Sequence, residues 1–300
     1  MLRSNIIGTL LAFAALAPAG AHAGGAWEPI DAPTVTLLDA GSAPRRTLRY
    51  SIPTASWRIV RKHRYDASVK LPLRGNREDE GQFSFDLTAR GVLPTGDQPI
   101  ELVVLLHEAV GRTGVAEELA GASGRIRLTD RGLPVEASWD PHPADSDAAR
   151  MADRLLLDRF RTRASQLPTP LPEEAVGPGA SWEIRQTLTQ GTSSFAMIAR
   201  CTLIEDREDG LDLQCRFSHD AAATTFQVGS RGRERKVELQ DSQVRGQSML
   251  LQSLDMPVPT REDGTLATFF DAKVRMTVVP VRIKVTSEEK WSQLVPEPSR

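Results

Sequence analysis

The sequence has only two cysteines and almost no net charge. Its 37 lysine and arginine residues nearly balance 39 aspartate and glutamate residues, which gives a formal net charge of −2. There is therefore no overall electrostatic attraction to nucleic acid. Beyond the N-terminus, no stretch approaches the roughly 20 apolar residues that a membrane-spanning helix needs. With 40% hydrophobic and 25% charged residues, the composition is that of a globular protein.

Nucleotide-binding motifs are also missing. The stretch Gly177–Trp182 resembles a phosphate loop, but a Walker loop needs Lys and then Ser or Thr after its last glycine. A dinucleotide fingerprint needs a third glycine followed by a helix. Pro178 removes one backbone N–H that a phosphate would use. The alternation after Trp182 predicts instead that this stretch begins a strand.

Serine hydrolase motifs are incomplete. Gly246–Leu250 comes nearest to G-x-S-x-G but lacks the second glycine. The three histidines considered as bases, His63, His107 and His219, lie in or beside strand patterns, where a histidine is more often hydrogen-bonded or exposed. Because a Ser-His-Asp arrangement can be scattered in sequence, hydrolysis is kept as a third hypothesis.

The apolar run from Ile6 predicts a secretory signal peptide. Arg3 supplies the positive n-region, and Ala21-His22-Ala23 supplies the small-x-small pattern that signal peptidase reads. No cysteine follows this run to carry a lipid. We predict a signal peptide over residues 1–23, cleavage after Ala23, and a periplasmic or secreted mature protein without a transmembrane anchor. An uncleaved anchor or a buried helix is the alternative.

The two cysteines flank a predicted hairpin. The segment CTLIEDREDGLDLQC has a charged turn that ends in Gly210, and pairing its arms places Cys201 opposite Cys215 on one face. In an oxidising compartment these thiols should form a disulfide. A redox pair usually shows C-x-x-C spacing and zinc needs further ligands nearby, so we predict a structural role.

The rest of the chain predicts a mainly β (α+β) protein with antiparallel sheets. Twenty-two glycines and 20 prolines separate short alternating stretches, which is typical of strands joined by turns. One long amphipathic helix is predicted over residues 146–167, with Asp145, Ser146 and Asp147 offering N-cap oxygens. We expect this helix to pack on a sheet through an apolar stripe of Ala152, Leu156, Phe160, Ala164 and Leu167.

Two halves of the mature chain are suggested by a short repeat. Residues 53–59 (PTASWRI) match residues 178–184 (PGASWEI) at five of seven positions. A third Ala-Ser-Trp occurs at 137–139. We predict an N-terminal β-rich half over 24–172 that ends in the helix, and a C-terminal antiparallel half over 173–300 that contains the disulfide hairpin. A coincidence of small residues is the alternative to a true repeat.

Two charged segments were weighed as sites. Residues 140–147 hold three acids and one histidine, but they lack the EF-hand pattern and a second histidine at helical spacing. Helix capping explains their acids, so no metal site is predicted. The basic run of Arg231, Arg233, Arg235 and Lys236 could meet anionic lipid head groups or an acidic protein, whereas a solvated hairpin tip needs no partner.

The stretch LPTPLPEEAVGPGASW over residues 167–182 resembles a proline-then-V-G-x-G-x-x-W pattern of uncharacterised exported bacterial proteins. The run GRIRLTDRG over 124–132 is similar to theirs as well. The resemblance implies a β-rich fold and assigns no activity.

We therefore expect a non-enzymatic exported envelope protein, with no catalytic residues and no cofactor. A curved sheet under a helix can enclose an apolar cavity, so the first hypothesis is binding of a lipid or another hydrophobic ligand. The second is a protein-interaction or assembly module of the envelope that uses exposed strand edges.

Overall fold

The structure is a computed structural model. It describes residues 26–71, 75–92, 99–111, 114–146, 149, 151–190, 193–221, 224–228, 235–274 and 277–294. The predicted signal peptide and its cleavage site after Ala23 lie outside the described residues. No helix among the described residues is both long enough and apolar enough to cross a bilayer.

The fold is mainly antiparallel β, as predicted. The strands are β1 Glu28–Pro29, β2 Thr34–Asp39, β3 Arg46–Thr47, β4 Ser56–Leu71, β5 Gly75–Val92, β6 Ile100–Gly111, β7 Gly114–Val115, β8 Ser123–Leu128, β9 Pro134–Trp139, β10 Ala175–Val176, β11 Ser181–Gln190, β12 Ser193–Asp206, β13 Leu211–Ala221, β14 Thr224–Val228, β15 Arg235–Gln252, β16 Arg261–Val274 and β17 Thr277–Leu294. One helix, α1, covers Met151–Ala164, and short 3-10 turns cover Glu117–Leu119 and Pro143–Asp145.

Two runs of six antiparallel strands form the main sheet. In the first run the strand order is β1-β9-β8-β6-β5-β4. In the second run it is β17-β16-β15-β13-β12-β11, and the two runs join where β4 pairs with β17. The edge strand β2 pairs with β11, and a small separate sheet joins β3 to β10. Residues 34–47 therefore pair with strands beyond residue 172, and the predicted division of domains at 172 and 173 stays a prediction.

The helix is shorter than predicted, because residues 142–146 form a separate turn. His142 caps the Pro143–Asp145 turn through a reciprocal pair of bonds, and Ser146 is extended, so α1 begins at Met151 rather than at residue 146. Asp145 is consequently a member of that turn instead of the cap of α1. At the other end the helix stops at Ala164, and the X-Pro bond before Pro168 favours an extended chain.

The predicted apolar stripe is confirmed at Phe160, Ala164 and Leu167, and it differs at Leu156, where the neighbouring Leu157 is the buried residue. Leu157, Phe160 and Ala164 are buried, whereas Leu156 is only half-buried. The ring of Phe160 meets Trp139 of β9 edge-on at 5.8 Å, and a Cβ at Gly111 of β6 would lie against Leu156. These contacts fill the space between the helix and the sheet.

The stretch that looked like a phosphate loop is a closely packed turn before β11. Gly179 has a φ of +83°, which favours glycine, and its N–H donates to the carbonyl of Leu203 at 2.7 Å. A Cβ at Gly177 would collide with the carbonyl oxygens of Ser42 and Pro44. Gly177 thus allows close packing of backbone against backbone, Gly179 allows the turn, and a strand rather than a helix follows them.

Candidate ligand-binding face

The residues of the candidate metal segment are engaged in local contacts. Asp145 accepts two hydrogen bonds from the guanidinium of Arg161, at 2.8 and 3.0 Å, and Asp140 accepts one from Ser123 Oγ at 2.6 Å. His142 Nδ1 accepts from the N–H of Ala144. Within the described ranges no group of three or more His, Cys, Asp or Glu side chains is placed to hold a metal ion.

The charge states in this turn follow from its packing. Burial raises the pKa of Asp145, but the bidentate bond from Arg161 and its positive charge outweigh this effect, so the pKa lies below its ordinary value. Burial lowers the pKa of His142, and the charge of Asp145 only partly opposes it. The Arg161 guanidinium also lies 5.6 Å from the centre of the Trp139 ring. The turn therefore anchors α1 to the sheet.

The candidate hydrolase residues lie on separate strands. His63 lies in β4, His107 in β6 and His219 in β13, and the ring of His107 contacts Thr88 Oγ1. Ser248 lies in the middle of β15 rather than on a strand-to-helix turn, and its buried Oγ has no hydrogen-bond partner in the part of the chain that the structure describes. The Ser248 hydroxyl is therefore not hydrogen-bonded to a base among the described residues.

The predicted disulfide is confirmed, and it lies in a row of small residues. Cys201 and Cys215 are directly opposed on β12 and β13 and are joined by an S–S bond. The register extends the row from Trp182 through both cysteines to Ser248 and Gly264. Trp182 is 0% exposed, and its indole N–H donates to the carbonyl of Pro170 at 3.0 Å. The small neighbours leave room for the indole ring on this face.

The next row on the same face is apolar across seven strands. Its members are aligned by consecutive strand pairings and are here called the apolar row: Ile184, Ala199, Phe217, Gly246, Leu266, Val285 and Tyr65. Ile184 and Ala199 are buried, whereas Phe217 and Gly246 are only half-buried. The face thus begins to open toward solvent at this level.

The segment that covers the inner side of this face ends at a contact between Gln166 and Gln186. The proline-rich segment after α1 crosses the inner side of the sheet, where Thr169 accepts from the hydroxyl of Tyr50 at 2.8 Å. Burial raises the pKa of that hydroxyl, which is therefore a permanent donor. Just before this segment, Gln166 Nε2 donates to Gln186 Oε1 on β11 at 3.1 Å. Met197, which pairs with Gln186, is half-buried.

The opposite, outer face carries a shallow depression of about 340 Å³. Its lining includes the polar residues Gln214, Gln247, Asp263 and Thr265 together with the exposed Met249. Of the predicted basic run, Arg231 and Arg233 lie outside the described residues, and β15 begins at Arg235.

Comparison with family models, curated proteins and solved structures finds no match to this chain. The resemblance of residues 124–182 to exported bacterial proteins therefore stays a prediction, as does the location outside the cytoplasm.

Sequence reasoning did not identify the apolar row. Phe217 and Met197 have no unusual local signal, because a half-buried alternating strand looks the same whether its apolar side meets a core or a ligand. A signal could have come from aligning the arms beyond the cysteines, since the predicted Cys201–Cys215 pairing already implies Ala199 opposite Phe217.

Proposed function

We propose that the protein is a non-enzymatic exported envelope protein that binds a hydrophobic molecule, such as a fatty acyl chain, along the apolar row. The observation that carries this proposal is the apolar alignment that continues past the end of the inner cover. Phe217 and Met197 are both half-buried there, next to buried Ala199. An acyl chain that covered them would remove their apolar surface from water.

The space under α1 is filled by side chains, so it does not support the ligand cavity that we expected beneath the helix. Leu157, Phe160 and Ala164 are each at most 1% exposed and pack with Leu119, which is 0% exposed. The proposed ligand therefore occupies the open side of the second run of strands rather than the space beneath the helix.

Matched variants on one strand test the proposal. Phe217 and its neighbour Ser218 lie on opposite faces of β13, so Phe217→Glu places a charge on the apolar row and Ser218→Glu places it on the outer face. Binding of a fluorescent fatty acid should weaken by about tenfold or more in Phe217→Glu, because a charge is costly in an apolar contact. Ser218→Glu should bind like the wild type.

A second variant guards against loss of folding. Met197→Glu places the charge on β12, farther from the disulfide row, and should weaken fatty acid binding with an unchanged thermal midpoint. Native mass spectrometry of protein purified from its own envelope should show a bound lipid. The proposal fails if the folded wild type carries no lipid and binds no fatty acid.

An assembly role is the second candidate, because β2 is an edge strand with an exposed apolar side chain. Leu38 on β2 is 53% exposed, and a partner strand could add to this edge. Leu38→Lys should block such an addition, since edge lysines oppose strand pairing. Crosslinking that captures one stoichiometric partner with the wild type and not with Leu38→Lys would support this role.

We further propose that the two motif-bearing halves are related repeats. The alanine of the motif makes the same backbone hydrogen bond in each half. The carbonyl of Ala55 accepts from the N–H of Gly91 at 3.0 Å, and that of Ala180 accepts from the N–H of Leu203 at 2.8 Å. In each case the donor lies two residues beyond the partner of the tryptophan, which is Ala89 for Trp57 and Cys201 for Trp182.

A further inference from the structure

We propose that the outer face of β11, β12, β13 and β15 docks on the surface of an anionic phospholipid bilayer. The contact is made by four exposed arginines, one on each strand, here called the arginine patch: Arg185, Arg200, Arg216 and Arg245. They lie on the side of the sheet opposite the apolar row, because their strand neighbours Ile184, Ala199, Cys215 and Gly246 belong to the inner face.

The register brings the arginines together in two rows. Arg200 and Arg216 are directly opposed across β12 and β13, and Arg245 follows on β15 beside Ser218. Adjacent strands lie about 4.8 Å apart, so the patch extends about 15 Å across the sheet. Like charges directly opposite each other destabilise a sheet. The bond to Glu183 offsets this repulsion only on the side of Arg200, and an anion between Arg200 and Arg216 would offset it for both.

The charge of the patch is not balanced within the described part of the chain. Glu183 accepts from Arg185 and Arg200 at 2.9 Å each, and these two bonds hold its pKa below the usual range. Neither Arg216 nor Arg245 has a carboxylate partner among the described residues. Among the described residues these four guanidinium groups therefore share one carboxylate, that of Glu183, because Asp263 in the nearby depression pairs with Arg261.

Two arginines on the outer face of the first run of strands are paired with carboxylates instead. Arg127 pairs with Glu136 and Glu101, and its guanidinium lies 3.9 Å from the centre of the Trp27 ring. Arg58 on β4 pairs with Asp86 on β5. Arg127 and Arg58 thus differ from Arg216 and Arg245, which have no carboxylate partner among the described residues.

The surroundings of the patch fit a membrane surface. Ile198 lies half-buried between the arginines, Met249 is 45% exposed nearby, and the amides of Gln214 and Gln247 line the depression beside Arg216. Such a mixture of cations, amides and isolated apolar side chains suits phosphate head groups better than the interior of a protein complex. Docking goes beyond the ligand binding proposed above, since either can hold without the other.

Vesicle cosedimentation of the full mature chain tests the docking. The wild type should bind vesicles of phosphatidylglycerol and phosphatidylcholine and leave pure phosphatidylcholine vesicles unbound. An arginine near an anionic membrane contributes about fivefold to binding, so Arg216→Gln should weaken binding by about fivefold. Arg200→Gln/Arg216→Gln should weaken it by about 30-fold, and salt should reduce wild-type binding.

The control variant removes two positive charges from outside the arginine patch. Arg90→Gln/Arg125→Gln changes two exposed arginines on the first run of strands and should bind vesicles like the wild type. Fatty acid uptake from solution should be unchanged in Arg200→Gln/Arg216→Gln, which separates docking from ligand binding. The docking proposal is overturned if the wild type shows no preference for anionic vesicles, or if the control variant loses as much binding as the patch variant.

Discussion

Trp57 and Trp182 occupy matching places in the two runs of strands, and their surroundings differ. Each begins a long strand, each is at most 1% exposed, and each pairs with a small residue on the next strand, Ala89 or Cys201. The row from Trp57 continues through Val104 to Gly124 and is covered on its inner side by α1. The row from Trp182 instead contains the disulfide.

The comparison shows two solutions to one packing problem. In the first run, the helix supplies Phe160 against Trp139 at the end of the tryptophan row. In the second run, the proline-rich segment covers Trp182, whose indole N–H donates to the carbonyl of Pro170, and a covalent bond joins two of the strands. A run of strands that keeps one face open for a ligand would need such a bond, because it cannot use that face for a second packed layer.

Removing either tryptophan should have the largest effect on stability. Trp57→Ala and Trp182→Ala should each lower the free energy of unfolding by about 3–5 kcal/mol, since each truncates a fully buried indole ring. Urea denaturation measures both losses, with Leu38→Ala on the exposed edge strand as a nearly neutral control. A loss below about 1 kcal/mol for Trp182→Ala would mean that its ring is exposed in solution, and the matching of the two rows would fail.

Removing the disulfide should have the second-largest effect on stability, and this effect should be confined to the second run of strands. Cys201→Ala/Cys215→Ala opens a covalent loop with a sequence separation of 14 and should cost about 3 kcal/mol in the chain-entropy model. Hydrogen exchange should rise in β11–β13 and remain slow in β5–β8. The neighbouring Ser248→Ala is the control, expected near neutral because its buried Oγ has no partner among the described residues. Equal loosening of both runs would show that the bond does not act locally.

The smallest expected effect is on the stability of the fold in acid, and it concerns Asp145 in the turn before α1. The pKa of Asp145 in the folded state is lower than in the unfolded chain, so its stabilisation is present above about pH 4 and is lost as the pH falls through the folded value. Asp145→Asn should therefore show a lower stability at neutral pH and a flatter decline in acid. Thermal midpoints measured between pH 7 and pH 2.5 check this.

His142 must be separated from that effect. Its pKa is also lowered, which makes the folded state lose stability as the pH falls below about 6.5. In His142→Asn the decline should shrink between pH 6.5 and pH 5, while the decline below pH 4 should remain. If Asp145→Asn falls off in acid as steeply as the wild type, the Arg161 bond does not set the charge of Asp145.

Local patterns predicted much of the fold, and distant pairings could not be predicted. The alternation after Trp182 predicted strand β11, and the charged loop before Gly210 placed Cys201 opposite Cys215. The start of α1 was wrong because the reciprocal caps of the His142 turn compete with the helix for Asp145. Hydrophobic periodicity predicts which side of a strand is buried, but it does not predict which strand pairs with it.

The same limit applies to the candidate ligand-binding face and the arginine patch. Arg200 and Arg216 are separated along the chain by a hairpin that the sequence predicts, so their opposition was within reach of sequence reasoning. Arg245 joins them only because β15, rather than β14, pairs with β13. The end of the inner cover at Gln166 depends on the path of the proline-rich segment, for which the sequence has no periodic signal.

The pairing of β4 with β17 has a consequence for how the chain reaches this fold. These strands come from opposite ends of the described chain, and the two runs join only there. Contacts between such distant segments slow folding, because a long loop must close before they form. Until β17 is in place, β4 and β16 each present a long unpaired edge that can associate with other chains. Loss of β17 should therefore cause aggregation of the newly made chain rather than a simple loss of stability.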